Sequence, residues 1–187
     1  IFEDENTLFI TGGQHYMATD YTVEGDFSQG AFFATLAAAK GNLQMMGLRH
    51  DSMQGDKEIL SILQKAGAKI AAIENGYSIK KAALCGTEID LADCPDLGPI
   101  LTVLGALAQG ETKISHAARL RYKESDRIAA MEIELRKAGI QIESTQDDIV
   151  IKGGYQQEAG LVFEAHKDHR IAMSLAVLGA CMEQPVV

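Results

Sequence analysis

Basic residues are scarce: 17 Lys plus Arg stand against 26 Asp plus Glu, a formal net charge of −9. That balance argues against broad attraction to nucleic acid or to an anionic membrane, because no long basic stretch offsets it. Any anion has to be met locally. Long apolar runs are also missing. The two longest, LGPILTVLGALA from Leu97 and IAMSLAVLGAC from Ile171, reach about half of the ~20 residues that a bilayer span needs, so both read as buried helices. Cysteine is sparse, odd in number and without metal-like spacing. Cys85, Cys94 and Cys181 therefore read as core fillers in a reducing, cytoplasmic compartment. No charged, then apolar, then small-residue leader opens the chain, and the missing initial Met suggests a piece of a longer polypeptide. What is present suffices for a fold, since 187 residues at 47% hydrophobic and 23% charged can bury a substantial core.

The sequence repeats itself. VEGDFSQGAFFATLAAAKGNLQMMGL followed by SMQGDKEILSILQKAGAKIAAIENGYSIK matches IDLADCPDLGPILTVLGALAQGETKIS followed by ESDRIAAMEIELRKAGIQIESTQDDIVIKGG. Landmarks such as Lys40-Gly41 with Gln109-Gly110, and Lys65-Ala66-Gly67 with Lys137-Ala138-Gly139, set a period of about 70 residues. Within each copy a short strand leads to a turn holding an acid, Asp26 or Asp96. Next come a helix buried nearly all round, a glycine C-cap and a strand. An amphipathic helix follows, with Ile128, Met131, Leu135 and Ala138 on one face, and two strands close the unit over hairpin turns at Asn75-Gly76 and Asp147-Asp148. The unit is βαβαββ, and Phe32, Phe33 and Leu36 should match Ile100, Leu101 and Leu104. A third copy opens at LVFEAHKDHRIAMSLAVLGAC, with Asp168 in place of Asp26 and Asp96, and stops after its first helix. The units fall at about 20–83, 84–154 and 155–187.

The turn-to-helix junctions hold the chemistry. Asp96 in CPDLGP sits where a helix N-terminus offers free N–H groups, and the plain local reading is a helix cap, with a functional acid as the other. In KDHRIAM, Lys167, His169 and Arg170 precede an apolar helix. Cations there oppose the helix dipole unless an anion joins them, although solvated cations at a surface turn are an equally open reading. RLRYKESDRIAAM sharpens the question. Lys123 and Arg127, four apart, would share a helical face, gripping a phosphate or carboxylate while Glu124 stays free for proton transfer. The alternative is an ion-paired surface helix neutralised by Glu124 and Asp126.

RYKESDRIAAMEIELRKAG, DHRIAMSLAVLG, SMQGD and VEGDFSQGAFF, in their order and separations, resemble the EPSP synthase family, the 3-phosphoshikimate 1-carboxyvinyltransferases, over nearly the whole chain. The resemblance implies an α+β fold in which βαβαββ units surround a pseudo-threefold axis, helices inside and sheets outside, the third unit here truncated. It implies that residues 1–19 are the last strands of an N-terminal domain otherwise missing from this chain, and 20–187 an incomplete C-terminal domain. It also implies transfer of the enolpyruvyl group of phosphoenolpyruvate to the 5-hydroxyl of shikimate 3-phosphate, with no metal and no cofactor.

By position, the resemblance makes Asp96 the proton acceptor at the shikimate hydroxyl and Glu124 the group exchanging protons at the enolpyruvyl methylene. It sets Lys123 on the shikimate substrate, and Arg127 and Arg170 on phosphoenolpyruvate with His169 beside them. Arg119 departs from the pattern, standing where many members carry an Asn that contacts the shikimate substrate. Two other readings stay open: a related transferase or cyclase of the same fold, such as an RNA 3'-phosphate cyclase with a nucleotide-linked His, and a non-catalytic anion-binding module. Whatever the reaction, Asp96, Glu124 and His169-Arg170 all lie at turn-to-helix junctions of the repeats, so a threefold arrangement would bring them to one end of the domain.

Overall fold

A computed structural model describes residues 2–4, 7–155 and 160–187; parts of the expected 1–19 segment and of the third unit lie outside that range. Two short antiparallel strands, β1 (Phe2–Glu3) and β2 (Leu8–Phe9), come first. The first repeat then supplies α1 (Phe27–Lys40), β3 (Asn42–Met46), a 3-10 turn at Gly55–Glu58, α2 (Ile59–Lys65), β4 (Lys69–Ile73) and β5 (Gly76–Lys80). The second supplies β6 (Glu88–Asp90), a 3-10 turn at Pro95–Leu97, α3 (Gly98–Leu107), β7 (Glu111–Ser115), a 3-10 turn at Ala118–Tyr122, α4 (Arg127–Lys137), β8 (Gln141–Ser144) and β9 (Ile149–Lys152). The third begins with a bridge at Leu161 and α5 (His169–Cys181).

The second repeat is the full βαβαββ unit. Its sheet runs β6-β7-β9-β8, with β6 and β7 parallel across the α3 crossover and the other pairs antiparallel. The third repeat starts the same crossover, since Leu161 and Val186 pair in parallel on either side of α5. The first repeat departs from expectation. Its sheet is β3-β5-β4, and residues 20–25 form no strand leading into Asp26; a single bond, Gly25 N–H to Gly47 O at 2.8 Å, stands where β6 meets β7 in the second. Its hairpin turn also falls on Glu74-Asn75, one residue earlier than expected, with Gly76 opening β5.

Helices α1, α3 and α5 pack on one another, α2 lies against α1, and α4 against α3 and α5. The sheets cover this bundle with one face: in β7 Thr112 and Ile114 point in and Glu111 and Lys113 out. Ile100, Leu101, Val103 and Leu104 are all closed to solvent, and each such aliphatic side chain contributes about 1.5–3 kcal/mol. Ile128, Met131, Leu135 and Ala138 are buried together as the helical spacing required. The equivalence of α1 with α3 is less complete. Phe32 is buried like its counterpart, but Phe33 is 61% exposed, because it lines an open groove with Met173 and Val177 of α5 rather than lying under a sheet. Of the cysteines, Cys94 and Cys181 are core residues, whereas Cys85 is exposed.

One close approach bears on the site. A Cβ added to Gly55 would stand 2.4 Å from the carbonyl oxygen of Asp93, a backbone atom that cannot swing away. Gly55→Ala is therefore expected to push the first repeat's 3-10 turn off the Asp93–Asp96 loop and to lower stability by about 1–3 kcal/mol, as overpacking does. Chemical denaturation measures it; an unchanged midpoint would contradict the contact.

Candidate active site

Three helix starts meet at one end of the α1-α3-α5 bundle. At two of them an aspartate caps the helix: Asp26 Oδ1 accepts from Ser28 N–H at 2.7 Å, and Asp168 Oδ1 from Arg170 N–H at 2.9 Å. At the third, Asp96 does not cap. A 3-10 turn at Pro95–Leu97 intervenes before α3, and neither the turn nor the helix has a side-chain cap. The carboxylate of Asp96 is free to face cations from the start of α4 and from α5. Oδ1 lies 3.1 Å from Lys123 Nζ and 3.2 Å from Arg127 Nη1, while Oδ2 lies 3.4 Å from Arg170 Nη2. Arg170 also donates to Asp96 O at 3.4 Å and to Ser28 Oγ at 3.1 Å, tying the first repeat to the third.

The KESDR segment is built differently from its expected form. Helix α4 starts only at Arg127, because Asp126 caps it through Ala129 N–H, so Lys123 and Glu124 lie in the preceding loop and share no helical face with Arg127. They converge through the loop instead. Arg127 is 1% exposed, and its fork is taken up by Asp168: Nε to Oδ2 at 2.8 Å and Nη2 to Oδ1 at 3.3 Å. Nη2 also meets Glu124 Oε2 at 2.5 Å, so Glu124 is paired rather than free, though its side chain is 51% exposed. Ser125 Oγ adds a bond to Asp168 at 3.1 Å. Arg121 is turned away, bonded to Asp126 and to the carbonyls of Thr145 and Gln146.

The remaining sequence-derived residues lie at the rim. His169 is the exposed first residue of α5, and the exposed Arg119 reaches back to Ala92 O at 3.4 Å. Burial alone would raise the carboxyl pKa of Asp96, but the bond from Lys123 and the charges of Arg170 and Arg127 outweigh it and hold the group below the ordinary range. Asp168 is likewise held low: burial opposes, and Arg127 with the Arg170 N–H prevails. Asp56, on the first repeat's 3-10 turn, moves the other way, raised by burial and by the neighbouring charge of Asp96. Sequence reasoning missed Asp56, as it missed Ser28, Ser125 and Gln54, whose amide spans Gly25 O and Phe27 N–H at 2.9 Å each. Ser28 and Ser125 carried a readable signal, each lying beside a capping aspartate or the KESDR cations. The assembly is a part-exposed cluster of an ionised acid, several cations and an exposed carboxylate, suited to binding small anions and moving protons beside them.

This architecture is that of the enolpyruvyl transferases, α+β with helices inside and sheets outside; the enolpyruvyl transferase NikO from Streptomyces tendae shares it at 18% identity with a TM-score of 0.66. EPSP synthase from Acinetobacter baumannii superposes with a TM-score of 0.79 at 30% identity, over 93% of this chain and 43% of that one. The family model for EPSP synthase (3-phosphoshikimate 1-carboxyvinyltransferase) matches residues 2–187, and the chain belongs to that family. Curated relatives of that name include those of Clostridium novyi, 45% identical over 96% of the chain, and Clostridium acetobutylicum, 46% identical over the same share. The chain spans about 41% of the length of both relatives.

Proposed function

We propose that these residues form the C-terminal half-site of an enzyme that transfers the enolpyruvyl group of phosphoenolpyruvate to the 5-hydroxyl of shikimate 3-phosphate, with residues 20–187 belonging to one domain and 1–19 to the end of another. The observation that carries this reading is the meeting on Asp96 of Lys123 and Arg127, from the second helix start of its own repeat, with Arg170 from the next repeat. An ion-paired surface helix would need no such convergence.

In the proposed reaction Asp96 accepts the proton of the 5-hydroxyl as its oxygen adds to C2 of phosphoenolpyruvate, and Glu124 delivers a proton to the C3 methylene. The tetrahedral adduct then loses phosphate while a proton leaves C3 again, restoring the enol ether. Lys123 holds the shikimate substrate, with Arg119 at the rim. Arg170, and Arg127 behind it, neutralise phosphoenolpyruvate, with His169 at the mouth. Arriving anions compete with Asp96 and Glu124 for these cations. The exchange releases both acids toward the reacting atoms.

Such a half-site should bind weakly, since part-exposed charge pairs are worth about 0.2–1 kcal/mol each and are screened by salt. Titrating the 187-residue chain with shikimate 3-phosphate and phosphoenolpyruvate is expected to move the amides of Lys123, Glu124 and Arg170, less so at high salt. Turnover is assayed in the natural polypeptide that carries these residues. Binding without turnover there would favour a non-catalytic anion-binding module, and shifts confined to residues far from the three junctions would misplace the site. Among the described residues no helix is long and apolar enough to cross a membrane, which is compatible with work on cytoplasmic metabolites.

A further inference from the structure

The first two repeats differ in charge at a buried position of their second helices. Counting from Lys65-Ala66-Gly67 and Lys137-Ala138-Gly139, Glu134 of α4 stands where α2 carries Ile62. Both are closed to solvent, Ile62 at 2% and Glu134 at 0% exposed. The same slot takes an apolar side chain in one repeat and a carboxylate in the other. Burying a carboxylate is unfavourable unless donors replace its water. Here Glu134 Oε2 accepts from Lys137 Nζ at 2.7 Å and from Glu164 N–H at 3.0 Å, and Oε1 lies 2.8 Å from His166 Nε2. Lys137 also donates to Val162 O at 3.2 Å.

Most of these bonds fasten the segment from Val162 to His166 onto α4. That segment ends in two consecutive left-handed residues, His166 at φ 50° and Lys167 at φ 57°. Residues with a Cβ keep that conformation only where the surroundings hold them. Directly after it come Asp168, which caps α5 and bonds Arg127, then His169 and Arg170. Helix α4 thus grips the segment twice, through Glu134 near its C-terminus and Arg127 at its N-terminus. Arg127 serves the cluster itself. Glu134 touches none of the cluster, and its donors all belong to its own helix or to the approach of α5.

We propose that Glu134 is a positioning residue: through Glu164 N–H and His166 it holds the left-handed turn that delivers His169 and Arg170 to the Asp96 junction. This rests on the enolpyruvyl-transfer reading, in which Arg170 meets phosphoenolpyruvate. Glu134→Ile puts the first repeat's own residue in the slot, and the part-exposed Lys137 and His166 can turn to water, so the fold should persist with a melting temperature lowered by the loss of the carboxylate's bonds. Glu134→Gln, isosteric and uncharged, carries the same readouts if the isoleucine variant fails to fold. Amide exchange at Asp168 and Arg170 is expected to quicken about tenfold while α3 and β7 keep their protection. In the natural polypeptide, KM for phosphoenolpyruvate should rise about tenfold and KM for shikimate 3-phosphate, set by Lys123 and Asp96, should stay within about twofold. Unchanged exchange at Asp168 and Arg170 in a folded variant overturns the proposal, and so does a parallel rise of both KM values. If the parent polypeptide shows no enolpyruvyl transfer, that reading falls, and the exchange measurement alone decides whether Glu134 holds the turn.

Discussion

Replacing Arg127 by Met is expected to lower the unfolding free energy by about 3–5 kcal/mol, the usual consequence of removing one partner of a buried ion pair. Arg127 is 1% exposed and Asp168 is also at 1%. Without the guanidinium, Asp168 keeps only Ser125 Oγ and the Arg170 N–H as donors, too few for a carboxylate closed to solvent. Asp168→Asn added to Arg127→Met should recover part of the loss, because the stranded charge goes with it. Urea unfolding of the single and double variants measures both effects. A single-variant loss below about 1 kcal/mol would show that the pair is solvated in solution, as exposed pairs are.

The same cluster gives stability a pH dependence of definite sign. Asp96, Glu134 and Asp168 all have carboxyl pKa values below their ordinary range, each despite burial, because donors favour the ionised form. Such groups stabilise the fold above the unfolded-state pKa, and that contribution disappears as pH falls through the lower folded-state value. Unfolding midpoints should therefore drop on acidification below the ordinary carboxylate range. Arg127→Met should flatten that slope by releasing the depression at Asp168.

How far the sequence showed this depends on whether a feature is local. The caps at Asp26 and Asp168 follow from an acid placed before an apolar run, and the burial of Ile128, Met131, Leu135 and the C-cap Ala138 from helical spacing. The same cap pattern at Asp96 misleads, because Pro95 opens a 3-10 turn that carries the carboxylate away from α3. Spacing of four likewise suggested that Lys123 and Arg127 share a helix, yet the capping Asp126 between them starts α4 only at Arg127. Both residues still reach Asp96, since their convergence is set by how α4 and the turn before it pack on α3 and its leading turn, and needs no shared helical face. Glu134 was invisible as a site: in the string MEIELRK it is one polar residue of an amphipathic helix, and only the fold brings Glu164 and His166 against it. The absent first strand of the first repeat has the same origin, since residues 20–25 make one backbone–backbone bond, to Gly47 just past β3, and a strand needs a ladder.

Asp96→Asn and Glu124→Gln are each expected to lower kcat of the natural polypeptide by about 10²–10⁴, the range for losing general acid–base assistance. The fold should survive both changes. Asp96 and Glu124 are the outward-facing acids of the cluster, 35% and 51% exposed at the side chain, and each amide keeps one oxygen to accept from the neighbouring cations. In the resting arrangement Asp96 is a poor base, because Lys123, Arg170 and Arg127 hold its pKa low. Substrate anions change that. In the proposed reaction a phosphate on Lys123 and a carboxylate on Arg170 would draw these cations away, so that the proton affinity of Asp96 would rise once both substrates are in place. A base works when deprotonated, so kcat/KM, which reports the free enzyme, should fall on the acid side only below the ordinary carboxylate range, and Asp96→Asn should abolish that limb. Near-normal kcat in both variants, or an acid limb unchanged in Asp96→Asn, would take these acids out of the chemistry and leave the cluster an anion-binding structure.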